Sequence, residues 1–179
     1  EQARDALDLD GVIFMPAGNP VFKKHIEVSD AHHRVAMCRA AIEDNPAFDV
    51  STLEVDRAGD TYTVDTLETL RAHYPENVEL YFIAGADAIL TLPQWRDAPR
   101  LARLASFVGL NRPRSASLQS PQIAKKLAGT GFRTLFVEAP LFELSSSDIR
   151  KRILGNRSVR YLIPPAVLEY IESVGLYGD

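Results

Sequence analysis

Only one cysteine, Cys38, occurs in the chain, so no internal disulfide can form and the reducing cytoplasm is the expected compartment. Its neighbours, VAMCRAAI, have helical spacing, and the thiol is expected to pack as a small apolar group. Long hydrophobic runs are also lacking: none approaches the roughly 20 residues needed to span a bilayer. The opening stretch EQARDALDLD is acidic where a secretory leader would be basic and then apolar, so neither membrane insertion nor export is expected. Positive charge is in short supply as well. Lys and Arg total 20 against 24 Asp and Glu, a formal net charge of −4, which gives no general attraction for nucleic acid. An anionic substrate must be held by a few placed side chains and backbone N–H groups.

What the chain does have is enough apolar material for one sizeable core: 46% of 179 residues are hydrophobic, consistent with a single domain over residues 1–179. Short β-branched or aromatic runs recur at Gly11–Met15, Phe48–Val55, Val78–Ala84, Phe107–Leu110 and Thr134–Val137, most of them separated by stretches of helical period. That alternation predicts an α/β fold, a parallel sheet with crossover helices on both faces. Ser29-Asp30 marks a helix start, with Val35, Cys38 and Ile42 on one face and Asn45-Pro46 as the stop. Thr63 opens a second helix with Val64, Leu67 and Leu70 inward. Ser145–Ser147 precede a third, and Pro164-Pro165 introduce a closing helix, Ala166–Val174, ended by Gly175. Arg112 to Pro121 reads as a polar surface loop. Folds of this kind open with a strand and a phosphate-binding turn, yet Glu1–Leu9 already reads as the end of the first helix. The first strand is expected upstream of Glu1.

Four segments carry candidate chemistry. In LSSSDIRKRI, three serines stand before an apolar-periodic helix, where free amides and the helix dipole favour phosphate. Arg150 sharpens this, because a cation in a first turn opposes the dipole unless an anion is shared with it. The structural alternative is a serine that caps the helix and a solvated arginine. In IAGADAILTLPQW, Gly85 and Asp87 would fall at the carboxyl end of a strand, where α/β sheets bind ligands and where an aspartate can accept ribose hydroxyls; capping by Asp87 is the alternative. Trp95, the sole tryptophan, is a packing residue or a stacking surface for a planar ring. In GDTYTVDTL, Thr-x-Asp makes a competent N-cap. With Tyr62 and Thr63 it also offers amides to a carboxylate. In PAGNPVFKKH, Lys23 and Lys24 either guard a phosphate or form a solvated charge run.

Taken in order, PAGNPxxK, VSDAHHRxxM, DNPAFDVSTLEVDRAGDTYTVDTL, YFIAGADAILTLPQW, FVGLNRP, LSSSDIR and RYLIPPAVLEYIESVGLY resemble the bacterial nicotinate-nucleotide adenylyltransferases from end to end. Each motif alone is weak, and their common order carries the resemblance. It implies a Rossmann-like nucleotidyltransferase fold, with ATP and nicotinate mononucleotide as substrates and Mg²⁺ arriving with ATP. The mononucleotide's phosphate would attack the α-phosphorus directly, releasing pyrophosphate without a covalent enzyme intermediate. The resemblance further implies that Ser145, Ser146 and Arg150 meet the ATP phosphates and that Gly85 and Asp87 meet the adenosine portion. Trp95 would stack on the nicotinate ring, while Thr63, the amides around Tyr62 and the Arg96 amide would receive its carboxylate. Lys23 or Lys24, with Arg112, would lie near the mononucleotide phosphate. No protein metal site, nucleic acid or membrane partner is implied, and homo-oligomerisation is left open.

Family members carry a Gly-rich turn and a His-x-Gly-His motif on their first strand and helix, whose histidines meet the ATP phosphates. Neither occurs between Glu1 and Asp179, and the adjacent His32 and His33 have the wrong spacing to replace them. The motif is expected in the coding sequence before Glu1; a protein beginning there should be inactive. The competing expectations are transfer to nicotinamide mononucleotide or a phosphopantetheine arm, and a nucleotide-binding module without turnover.

Overall fold

The β-branched and aromatic runs do form strands, shorter than the run at Gly11–Met15, Phe48–Val55 and Val78–Ala84 and slightly longer at Phe107–Leu110 and Thr134–Val137. In the computed structural model, which describes residues 1–20, 29–111, 127–140 and 144–178, these residues group into two compact units. One draws on Glu1–Asp10 and Thr61–Leu141, the other on Gly11–Asp60 and Phe142–Asp179.

The first unit contains α1 (Gln2–Leu7), α3 (Thr63–His73), β3 (Tyr81–Gly85), α4 (Ala86–Ile89), α5 (Ala98–Leu104), β4 (Ser106–Asn111) and β5 (Thr134–Glu138). Its strands pair in parallel in the order β3-β4-β5, with Tyr81 opposite Ser106 and Phe107 opposite Thr134. Parallel neighbours need crossover segments, and α4, a 3₁₀ turn at Leu92–Gln94 and α5 supply the one between β3 and β4. Ile89, Leu92, Leu101 and Phe107 are wholly buried in one cluster with Val64 and Leu67 of α3. Burying each such side chain contributes roughly 1.5–3 kcal/mol, which fixes the helices over the sheet. Gly109 in β4 is needed for contact: a Cβ there would stand 2.5 Å from the Phe136 ring of β5.

The second unit contains β1 (Val12–Phe14), α2 (Ala31–Ile42), β2 (Phe48–Val50), α6 (Ser146–Leu154) and α7 (Pro165–Ser173). Here β1 and β2 pair in parallel, Val12 opposite Phe48, and the Phe14 and Phe48 rings meet edge to face at 5.3 Å. Helix α2 packs on both β2 and α7. His33 Nδ1 and the Tyr170 hydroxyl, 2.8 Å apart, tie α2 to α7. The histidine pair therefore has a packing role in this unit.

Two strand ends differ most from the sequence reading. The Phe48–Val55 run leaves the strand after Val50, because the Thr52 hydroxyl donates to Asp56 at 2.6 Å and the Asp56 amide closes back on the Thr52 carbonyl at 2.8 Å. Val78 sits in a turn rather than in β3; its amide bonds to Pro75 and its carbonyl accepts from Arg71 at 2.6 Å. Helix α2 ends at Ile42 with Asn45-Pro46 just beyond it as the stop, and the Asn45 side chain accepts the Ala47 amide in a local turn. At both strand ends a side-chain hydrogen bond holds the backbone in a turn and away from the regular element. Together the helices and parallel strands make an α/β protein, and no helix among the described residues is long and apolar enough to cross a membrane.

Candidate active site

In the first unit the chemistry gathers where β3 and α3 meet their following or preceding turns. Gly85 ends β3 and serves as the N-cap of α4, so Asp87 is the second helical residue and stands exposed. Asp87 makes no capping hydrogen bond, which removes the capping alternative. Its carboxylate leans back over Gly85 instead: a Cβ at position 85 would lie 2.5 Å from Oδ1. Glycine is thus the residue that lets this acidic group sit over the strand end.

Trp95 follows the 3₁₀ turn and is pinned on two sides. Its Nε1 donates to Thr91 Oγ1 at 2.9 Å, and its ring meets Phe82 at 5.7 Å and 89°. Phe82 in turn contacts the buried Phe107. The indole is therefore a packing residue and a rigid, part-exposed surface at once, because its polar edge is satisfied and its body is braced by the core. Arg96 leaves the same turn and lays its guanidinium 4.2 Å from the centre of the Tyr62 ring, with a long contact of 4.0 Å to Asp65. Trp95 and Arg96 are thereby tied to β3 and α3 respectively.

Tyr62, not Thr63, is the N-cap of α3, and no side chain caps that end. Thr63 is the first helical residue, so its hydroxyl is displaced from the capping position that a Thr-x-Asp reading assigns to it. The Tyr62 carbonyl accepts the Asp65 and Thr66 amides. The first-turn amides of Thr63 and Val64 have no intrahelical acceptor.

In the second unit, α6 opens with a complete capping box. Ser145 Oγ accepts the Asp148 amide at 3.1 Å, while the Asp148 carboxylate accepts the Ser145 hydroxyl at 2.6 Å and its amide at 3.2 Å. These Ser145 hydrogen bonds, hydroxyl first, hold the Asp148 carboxyl below its usual value. The capping alternative thus holds for Ser145. Ser146, the first helical residue, is exposed. Arg150 is the fifth residue of α6, one position beyond the first turn, and donates to Ser147 Oγ at 3.1 Å. Its opposition to the dipole is correspondingly weaker than the sequence suggests. Lys23, Lys24 and Arg112 lie outside the described residues, as does the loop from Arg112 to Pro121. Trp95 and Arg150 belong to different units.

The family pattern described as Cytidylyltransferase-like matches residues 1–152. A protein of Roseiflexus sp. (strain RS-1) named probable nicotinate-nucleotide adenylyltransferase is 42% identical over 177 residues, covering 99% of this chain and 87% of its own. A second of that name, from Corynebacterium jeikeium (strain K411), is 43% identical, covering 98% of this chain and 89% of its own. The chain belongs to the nicotinate-nucleotide adenylyltransferase family. Among solved structures, the Plasmodium falciparum nicotinic acid mononucleotide adenylyltransferase complexed with NaAD aligns with a TM-score of 0.69 at 21% identity, covering 94% of this chain and 82% of that one. The fold is that of the nucleotidyltransferases.

Viewed as a family member, the chain has two supporting residues that sequence reasoning passed over. Thr91 holds the indole and Asp65 faces Arg96. Thr91 had a faint signal, a hydroxyl four residues before the tryptophan; Asp65 was visible only as an acidic first-turn residue. Separately, Tyr161 is 99% exposed with a φ of 64°, a conformation uncommon for a bulky side chain. It lies in the RYLIPP segment of the adenylyltransferase tail.

Proposed function

We infer that the chain transfers the adenylyl group of ATP to nicotinate mononucleotide, giving nicotinate adenine dinucleotide and pyrophosphate in NAD biosynthesis. A phosphate oxygen of the mononucleotide forms the new bond to the α-phosphorus of ATP, and the bond from that phosphorus to the β-phosphate bridging oxygen breaks. Pyrophosphate leaves with its electron pair. Nothing in this step needs a protein nucleophile, so the residues act by positioning and by charge stabilisation.

The observation that carries the reading is the corner in which a braced indole stands next to an arginine lying over Tyr62, at a helix start that no side chain caps. Such a corner suits a pyridine ring bearing a carboxylate. The ring stacks on Trp95, and the carboxylate takes the amides around Tyr62 and Thr63 together with the Arg96 amide. Helix dipole and guanidinium both favour the anion. A nicotinamide lacks that charge, and binding it leaves the positive corner uncompensated. Gly85 and Asp87 receive the adenosine portion, the carboxylate accepting ribose hydroxyls. Ser146 and Arg150, with Ser145 in its capping role, receive the triphosphate at the opening of α6. Mg²⁺ comes with the nucleotide, whose phosphate oxygens are the hard ligands it prefers.

The test is pyrophosphate release by the full-length protein with Mg²⁺, ATP and each of three acceptors: nicotinate mononucleotide, nicotinamide mononucleotide and phosphopantetheine. The expected result is a kcat/KM for the nicotinate form at least about tenfold above the others, the equivalent of one charge-assisted hydrogen bond. Ser146→Ala combined with Arg150→Ala should raise KM for ATP while leaving that for the mononucleotide near its starting value. Equal turnover of the two pyridine nucleotides overturns the carboxylate assignment, and unchanged ATP binding in the double variant overturns the α6 assignment.

A further inference from the structure

Charge is distributed unevenly along this chain. Between Leu144 and Pro164 stand Arg150, Lys151, Arg152, Arg157 and Arg160 against the single carboxylate of Asp148, a local charge of +4 in a protein whose formal net charge is −4. The remainder is therefore strongly acidic and repels a free nucleotide. Of the five cations Arg150 bonds to Ser147, while Lys151, Arg152, Arg157 and Arg160 form no ion pair among the described residues. Lys151, Arg157 and Arg160 are exposed and Arg152 is half-buried.

The backbone holds this group in place. Helix α6 stops at the Gly155 C-cap, and the Arg157 amide returns to the Arg152 carbonyl at 2.8 Å. Val159, 3% exposed, pins the loop between Arg157 and Arg160. The carboxylates facing them are few. Asp148 bonds to Ser145 and lies within electrostatic reach of Lys151 and Arg152, and Glu172 of α7 lines the same groove as Arg157 and Arg160. At about 1.5 Å of rise per residue, Lys151 and Arg152 lie roughly 8–9 Å along α6 from Ser146, close to one Debye length at physiological ionic strength. Their potential reaches the helix opening, and it adds to the helix dipole there instead of being screened away.

We propose that Lys151, Arg152, Arg157 and Arg160 form an approach field that draws the polyphosphate of the incoming nucleotide to the opening of α6 and raises its association rate without touching it in the bound state. The proposal rests on the reading of α6 as the triphosphate site. Surface cations that only solvate the protein have no such effect; cations that steer do, in proportion to ligand charge and inversely with salt.

The experiment is stopped-flow binding of a fluorescent Mg-ATP analogue to the full-length protein and to the variant Lys151→Gln, Arg152→Gln, Arg157→Gln, Arg160→Gln, with pyrophosphate assays alongside. At about 20 mM salt the variant should associate about three- to tenfold more slowly, and at about 0.5 M salt the two should agree within about twofold. The dissociation rate, kcat and the inhibition constant of uncharged adenosine should stay as they were. The pairs Lys151→Gln with Arg152→Gln and Arg157→Gln with Arg160→Gln should each give part of the effect, so a folding failure of the fourfold variant leaves the question decidable. An unchanged salt dependence in an active, folded variant overturns the steering field. So does a selective loss of affinity for a single-stranded RNA oligonucleotide with nucleotide association intact, which would make the patch a nucleic-acid surface. If the starting protein neither binds ATP nor releases pyrophosphate, the α6 assignment itself has failed, a different outcome from an unaltered slope.

Discussion

The aromatic corner of the first unit and the opening of α6 in the second are built on opposite principles. Trp95 is braced by Phe82, which rests on the core residue Phe107, and its N–H is occupied by Thr91. Arg96 lies on Tyr62. At α6 the groups from Leu144 to Asp148 are all exposed, and what orders them is a local capping box and one hydrogen bond from Arg150 to Ser147. A ring-binding surface gains from rigidity fixed in advance, because stacking requires a plane already oriented. A triphosphate-binding helix end needs exposed donors. The difference teaches where substitutions will act: through packing in the first unit, through local hydrogen bonding in the second.

Removing the indole should separate the two most sharply. Trp95→Ala should raise KM for nicotinate mononucleotide roughly 5- to 150-fold, from the about 1–3 kcal/mol that ring stacking contributes, while KM for ATP changes less than about twofold. Trp95→Phe should recover part of the loss, and an equal rise in both KM values would show that the corner does not act on the pyridine alone. A smaller effect is expected at the other element. Ser145→Ala should lower stability by about 1 kcal/mol in urea unfolding through loss of the N-cap, and Ser145→Thr, which keeps the hydroxyl that donates to Asp148, should restore most of it; no change in the alanine variant would make the capping box ornamental. Smallest is the response to acid. Asp148 is held below its ordinary carboxylate value chiefly by the Ser145 hydroxyl and amide. Its contribution is therefore present above the unfolded value of about 3.9 and lost as pH falls through the lower folded one. Titration of the Asp148 carboxyl carbon by NMR should show this depressed midpoint, and Ser145→Ala should move it upward. A midpoint at the ordinary value in the unaltered protein would contradict the hydrogen-bonded geometry.

Much of the fold was legible in the residues. β-branched and aromatic runs alternating with 3.6-residue periodicity specify strands and helices locally, and the helix openings at Asp30, Thr63 and Ser145 lie where polar residues precede apolar ones. The misjudged strand ends, at Val50 and Val78, share one cause: the Thr52 hydroxyl bonds to Asp56 and Arg71 bonds to the Val78 carbonyl, so side chains hold turns there, and such bonds depend on rotamers that a linear pattern does not encode. The candidate site was legible as a set of residue types. Whether Ser145 caps, whether Asp87 does not, and which partner holds Trp95 were open.

By itself the sequence determined the α/β class, the family and the identity of the groups able to meet an anion or a planar ring, because local propensity and motif order act over a few residues at a time. Tertiary structure alone decided that Thr91 occupies the indole N–H, that Arg96 lies over Tyr62, and that Asp87 leans over Gly85. Those outcomes turn on the meeting of side chains from separate elements, or on rotamers within one turn. Such contacts exist only once burial of Phe107, Ile89 and their neighbours has brought the sheet and helices together.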